Sequence, residues 1–284
     1  MANTKRKNID AISLELGSEV VSTLLAEFDD PDAFVGAMLV GSAARGDMSK
    51  YSDVDLIFFS RMNPDDDRTK YKLEYRNNCL ISLSVRSLSA SQAALSSPVE
   101  AISVVQGLRE GVILRDSDAG ALADLQAAAD QFMWTPELTA EANRLASYYL
   151  MGNAEEVHKV LRGLLENEDI ALLNGTWGLA TTMPLVVALR YGILSRGDNL
   201  FRAQVCQVVG VDSPWAQYHA IAIGSSPGPS GFSQLSQQAV GAFWLFEETV
   251  HQCSGSLLHE DRQVAHLAIT TAYASGLIPS KEAL

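Results

Sequence analysis

The chain has 284 residues, 47% of them hydrophobic, and a formal charge of −13 from 34 acidic and 21 basic side chains. That length and apolar content support a sizeable core and most naturally two domains. The acidic balance argues against a surface built to grip nucleic-acid phosphates, which needs clustered Lys and Arg, and is compatible with a cationic small substrate or with a charge that serves solubility alone.

No run approaches the roughly 18 to 20 uninterrupted apolar residues of a membrane span. The basic stretch at the start, MANTKRKNID, has no apolar segment behind it of the kind a secretory leader carries. These features predict a cytoplasmic protein with no membrane partner. Cys79, Cys206 and Cys253 are scattered and odd in number, a pattern of reduced thiols rather than a disulfide framework or zinc site. His158, His219, His251, His259 and His266 show no zinc-ligand spacing either.

Taken in order, residues 10–28 carry apolar side chains at helical spacing, and Asp29-Asp30-Pro31-Asp32 closes the pattern. AFVGAMLV (33–40) and VDLIFFS (54–60) are short buried-strand candidates, and NPDDDRTK between them and the next strand is a solvated turn. KLEYR and CLISLSV flank Asn77-Asn78 and predict a hairpin, because Asn tolerates positive φ. SASQAALSSP reads as a polar helix or loop, and GVILRDSD as a last strand and turn. From Ala121 onward, segments at helical period dominate: 121–133, 137–167, 171–194, 199–210, 213–223, 233–254 and 260–275, with GSSPGPSG (224–231) an exposed loop. The expectation is an α+β chain, a mixed-sheet domain with helices over 1–120 followed by an all-α bundle over 121–284.

One stretch, LVGSAARGDMSKYSDVDLIFF, concentrates the chemistry. Asp53 and Asp55 are two apart at the start of a strand, so their carboxylates share a face. Such a pair is costly by repulsion unless a cation sits between them. Mg²⁺ is the natural guest, since it takes one or two carboxylates and completes its shell with substrate phosphates. Gly41-Ser42 supplies a strand-to-helix turn where backbone N–H groups can approach a phosphate closely, and the Ser42 hydroxyl and Arg45 guanidinium add donors. A metal with fixed donors is the recurring apparatus of phosphoryl and nucleotidyl transfer. Either half alone would be an ordinary turn or strand end; the combination at this spacing is what points to a site.

GSAARGDMSKYSDVDL resembles the nucleotidyltransferase motif of the DNA polymerase β superfamily, Gly-Ser followed after about ten residues by Asp-x-Asp. The order of parts is similar to that of the kanamycin (aminoglycoside 4′) nucleotidyltransferases, with a mixed sheet carrying the acids, a hairpin, and a helical domain. The resemblance implies AMP transfer from ATP, or from another NTP, to a hydroxyl of a small aminoglycoside-like acceptor. It implies Asp53 and Asp55 as metal ligands and Gly41, Ser42, Arg45, Ser52 and Lys159 as the nucleotide-binding set. In those enzymes a glutamate takes the proton from the acceptor hydroxyl and a lysine four residues later contacts the phosphates. AEEVHKVLRGL offers Glu155 and Lys159 at that spacing, which puts both on one helical face, with Glu156 the fallback base. The bland alternative is a solvent-exposed Glu-to-Lys pair. The resemblance further implies a homodimer.

The pattern departs at a third carboxylate, which the superfamily places on a later strand. The corresponding strand, CLISLSV, has no acid; Ser84 is the best match, then Ser82. Glu74 is the nearest carboxylate; a two-residue Asn-Asn turn would put it on the face of Ile81 and Leu83, opposite the serines, and a different turn length would reverse that, so Glu74 stays open as a substrate or metal contact. Other readings stay open: a protein-modifying nucleotidyltransferase, and a nucleotide-binding regulator that does not catalyse.

Overall fold

The structure, a computed structural model, describes residues 18–23, 34–61, 71–76, 78–117 and 119–281. Residues 18–23 are helical; the rest of the helix expected over 10–28, its closing acids and the whole 63–70 turn lie outside the described residues. Strand β1 (Phe34–Val40) pairs antiparallel with β2 (Val54–Ser60), close to the bounds expected from their apolar runs. The hairpin forms from β3 (Tyr71–Arg76) and β4 (Cys79–Ser87), closed by an Arg76↔Cys79 pair with Asn78 at φ 62°. β4 lies parallel to β2, and β5 (Val112–Asp116) antiparallel to β1, so the five-stranded sheet has the order β3-β4-β2-β1-β5.

The register divides this sheet into two unlike faces. On one, Leu39, Leu56 and Leu83 form a row beside Ala37, Phe58 and Val85, all of them buried. On the other, Val40, Asp55 and Ser82 stand in one row and Met38, Ile57 and Ser84 in the next. Period-2 alternation in β2 and β4 is the cause: each strand offers every second residue to a sealed core.

Besides the helical residues 18–23, the described residues of the sheet's unit form α1 (Gly41–Arg45), α2 (Leu88–Ala94), α3 (Pro98–Glu110) and α4 (Ala121–Gln131). α2 starts at Ser87, whose hydroxyl accepts from Ala90 N at 3.1 Å, so the polar segment is a capped helix. α3 has no counterpart among the expected elements. It carries Leu108, which meets Leu122, Leu125 and Ala129 of α4 over Met38 and Phe59. Asp116 at the end of β5 accepts from the N–H groups of Leu122 and Ala123 at 3.1 and 3.2 Å, tying α4 to the sheet. α4 is therefore part of the first compact unit, Met1–Met133 with Leu194–Gly197, and the division does not fall at 120. Burial of α4's apolar stripe against sheet residues is the reason.

The second unit, Trp134–Ile193 with Asp198–Leu284, is helical. It contains α5 (Pro136–Gly152), α6 (Ala154–Glu166), α7 (Asp169–Tyr191), α8 (Asp198–Val209), α9 (Pro214–Ala222), α10 (Gln234–Cys253) and α11 (His259–Ala274). The single helix expected over 137–167 is two, because Gly152-Asn153 is a poor helix former and the Asn153 side chain folds back to donate to Tyr149 O at 2.8 Å. α7 is long and apolar enough to cross a bilayer by length and composition, but 56% of its most apolar window is buried inside the protein, where α5, α6 and α10 pack around it. Cys79, Cys206 and Cys253 are all free thiols.

Candidate active site

The chain leaves β1 through Val40, still extended at φ −130°, and enters α1 at Gly41 with φ 69°. That left-handed value is cheap for glycine and strained for other residues. A second constraint acts on the same residue: a Cβ at Gly41 would overlap Oδ2 of Asp55 and sit 3.2 Å from its Cγ. The two halves of the motif thus touch, with the turn's backbone closed directly on the carboxylate. Val40 and Asp55 are paired in the ladder, which holds the contact in register. No side chain caps the N-terminus of α1, whose leading amides follow Val40; Ser42, in its first turn, is half-buried.

Asp55 lies within β2 and is half-buried, and Asp53 immediately precedes the strand. A tight turn sets Asp53 in place: Ser52 N donates to Ser49 O at 3.1 Å, and Ser49 N donates to Ser52 Oγ at 2.8 Å. The Ser52 hydroxyl also lies 3.1 Å from Ser49 Oγ. The Ser52 hydroxyl is thus engaged inside the turn that precedes Asp53.

The place of the third acid is sharpened by the ladder. Ser82 is the residue paired with Asp55, and Ser84 is paired with Ile57, one same-face position further on. Glu74 is paired with Ile81, so it lies on the opposite face, as a two-residue turn requires. There it is held by Lys72 Nζ at 2.9 Å and by Arg76 Nε. Partial burial pushes its carboxyl up, but the hydrogen bonds and charges of Lys72 and Arg76 outweigh this and leave it below the ordinary carboxylate value. Glu74 is a structural ion-pair centre, not a companion of Asp53 and Asp55.

Arg45 is largely engaged. Its Nε donates to Asp47 Oδ2 at 3.1 Å and its Nη1 donates to the Arg196 carbonyl at 2.8 Å, with Glu110 Oε2 3.9 Å away. Arg196 in turn donates through Nε to Glu110 Oε1 at 2.8 Å. Beside this network a cavity of about 190 Å³ opens next to Gly41 on the Asp55 face, floored by Val40, Ile57 and Phe59 and bordered by Arg45, Arg86 and Arg196. Among the described residues, no hydrogen bond or ion pair engages the Arg86 guanidinium. Arg86 and Arg196 went unread in the sequence. Neither lies in a motif, and Arg196 comes from the Leu194–Gly197 segment far along the chain.

Glu155 and Lys159 are on α6 of the second unit, one turn apart. Lys159 Nζ donates to Glu156 Oε1 at 2.8 Å and lies 3.1 Å from Glu155 Oε1. The Glu156 hydrogen bond, then that of Glu155, holds the Lys159 ammonium above its ordinary value. The two glutamates differ in freedom. The Glu155 side chain is 75% exposed, whereas that of Glu156 is 21% exposed and packs over Gly178, where a Cβ would come within 2.7 Å of its Cγ.

Among the described residues no group of three or more His, Cys, Asp or Glu could hold a metal. The donor set at Asp53 and Asp55 nonetheless fits Mg²⁺, an oxygen-seeking ion that binds through one or two carboxylates plus substrate phosphates. The Gly41 backbone closes on Asp55 with no space for a side chain between them, so the turn and the carboxylate border one point.

No curated protein sequence matches the chain. Among solved structures, the crystal structure of a nucleotidyltransferase-like protein from Exiguobacterium sibiricum aligns with a TM-score of 0.47 at 17% identity, covering 86% of this chain and 76% of that one. Residues 21–90, which contain the Gly41-Ser42 turn, Asp53, Asp55 and the β4 serines, match the family model described as a nucleotidyltransferase domain.

Proposed function

We propose that the protein transfers AMP from ATP, with Mg²⁺, to a hydroxyl group of a small-molecule acceptor. The observation that carries this reading is the closure of the Gly41 backbone on Asp55, which brings an amide-lined turn and a carboxylate to one point. Mg²⁺, when bound at Asp53 and Asp55, would supply charge neutralisation at the phosphates. The chain's own groups do the rest. The amides at the start of α1 and the Ser42 hydroxyl orient the phosphates, and Arg45, Arg86 and Arg196 at the cavity rim face their negative charge. The acceptor oxygen forms a bond to the α-phosphorus as the bond to the pyrophosphate oxygen breaks, and pyrophosphate leaves. Glu155 takes the hydroxyl proton and Lys159 contacts the phosphates, the roles that similarity to the kanamycin nucleotidyltransferases gives them. A homodimer in the cytoplasm, without nucleic-acid or membrane partners, completes the proposal.

Asp53→Asn and Asp55→Asn test it. Calorimetric titration with Mg²⁺ and a non-hydrolysable ATP analogue should show binding to the parent chain and loss of its Mg²⁺-dependent part in both variants, with pyrophosphate release abolished. Unaltered binding and turnover in both would remove the mechanism. A second reading rests on Ser82 standing where a third acid would flank Asp55: a regulator that binds nucleotide without transfer. Binding without pyrophosphate release across a broad acceptor panel would favour it.

A further inference from the structure

The sheet face that carries Asp55 does not end at Ser82. The ladder continues the row onto β3, where Leu73 is paired with Ser82, and the next row runs from Ile57 through Ser84 to Tyr71. Tyr75, paired with Leu80, follows on the same face of β3. Paired residues of neighbouring strands project to one side, so Tyr71, Leu73 and Tyr75 line up on the face of the acids. They are 54%, 51% and 77% exposed. The charged residues of β3 all point the other way, where Lys72 and Arg76 are bound to Glu74. What remains beside the acids is an uncharged platform of two phenol rings and a leucine, fronted by the hydroxyls of Ser82 and Ser84. With neighbouring strands about 4.8 Å apart, it lies about 10 Å from Asp55, the width of one ring-sized molecule.

Resting on the transfer reading above, the geometry points to this row as the seat of the acceptor, and to an acceptor that presents an uncharged ring face, either an aromatic ring or the apolar face of a sugar. The argument is one of direction. Displacement at the α-phosphorus runs in line, with entering and leaving oxygens on opposite sides. The Gly41 turn and Arg45 are at the end of β1, on one side of Asp53 and Asp55 in the strand order, and β4 and β3 are on the other, with Arg86 on the same face of β4 beyond Ser84. Pyrophosphate departing toward Gly41 and Arg45 leaves the row of Ser82 and Leu73 as the side from which the hydroxyl arrives. The nucleoside, attached off that axis, has no call on the row. Stacking on Tyr71 and Tyr75 then supplies affinity, and Ser82 and Ser84 hydrogen-bond hydroxyls near the reacting one.

The probe is 4-nitrophenyl β-D-glucopyranoside, with sorbitol as a polyol lacking a ring face. Binding is followed by ligand-detected NMR with and without Mg²⁺ and a non-hydrolysable ATP analogue, in the parent chain and in Tyr71→Ala, Tyr75→Ala and the double variant. These side chains are exposed, so folding should survive; the circular dichroism melt checks it. The expected result is that the glucoside binds the parent chain in preference to sorbitol, and about tenfold more weakly to the double variant, while ATP-analogue affinity is unchanged. Glucoside binding that ignores the substitutions, or is absent with and without nucleotide, overturns the platform. Loss of nucleotide affinity in the variants overturns it in favour of a nucleobase seat, and a dimer that becomes a monomer on substitution, seen by light scattering, in favour of an edge-strand interface between copies. A parent chain that binds the glucoside but no nucleotide keeps the ring seat and sinks the transfer reading, so the two fail separately.

Discussion

The two faces of the sheet are made by the same strands and obey opposite demands. On the sealed face Leu56, Phe58, Leu83 and Val85 exclude water, and their worth is measured in stability. On the other, Asp55, Ser82 and Leu73 stand in a half-open row whose members gain nothing from burial. A one-residue slip in β2 would exchange the two sets. Register is therefore the quantity that couples the core to the candidate site: the core holds the strands in phase, and the phase puts Asp55 against Gly41.

The comparison breaks most sharply at Gly41 and Phe58. Gly41→Ala forces a Cβ into Asp55 and into a left-handed backbone. The turn must shift, and misplacement of about 1 Å at a transfer site costs on the order of 10²-fold or more in rate, while the strain costs only about 1–3 kcal/mol of stability. Phe58 is fully buried and meets Phe34 edge to face at 5.8 Å. Phe58→Ala should lose about 3–5 kcal/mol yet retain kcat in whatever fraction stays folded. Denaturant unfolding and single-turnover kinetics on both variants check the split; equal effects on both readouts would dissolve it.

A sealed polar group in the second unit extends the contrast. His219 of α9 is 3% exposed and lies flat against Trp215, ring centroids 5.3 Å apart and planes 5° from parallel. Burial, aided by the Arg202 charge and weakly opposed by the Ala180 backbone, pushes the imidazole down to about 4 from its ordinary 6.5. The unfolded chain then binds more protons than the folded one between those values, so this contribution is present above about pH 6.5 and lost as pH falls toward 4. Its size is on the order of 3 kcal/mol. Urea unfolding at pH 7 and 4.5 should show a drop that is smaller by roughly this amount in His219→Gln. The transfer rate should not follow this titration if His219 is purely a core residue.

What could be read in advance follows the reach of each signal. β2 and the hairpin were legible because alternation and an Asn-Asn turn are local, but the face of Glu74 hung on the turn's length, and only the Glu74↔Ile81 pairing puts it away from the acids. α3 was equally local, with Pro98 at its start and Ala101, Ile102, Val105 and Leu108 at helical spacing, but a polar approach through SASQAALSSP concealed it. The membership of α4 was not legible, since an amphipathic helix does not name the surface that buries its stripe. Arg196 was hidden for a related reason: only folding brings Leu194–Gly197 into the first unit, where its carbonyl takes Arg45.

That last contact separates the arginines at the cavity. Arg45 is held by Asp47 and the Arg196 carbonyl, and Arg196 by Glu110, so each must give up a hydrogen bond to meet a phosphate. Arg86, on the open face in line with Phe59, has no such competitor among the described residues. Arg86→Ala should then raise KM for ATP about tenfold, one charge-assisted hydrogen bond's worth, with kcat and thermal stability nearly unchanged. Arg45→Ala should lower stability as well, because it frees Asp47 and a backbone carbonyl. If Arg86→Ala leaves KM unmoved, the phosphates do not reach the cavity, and the open face ends at Gly41 and the acids.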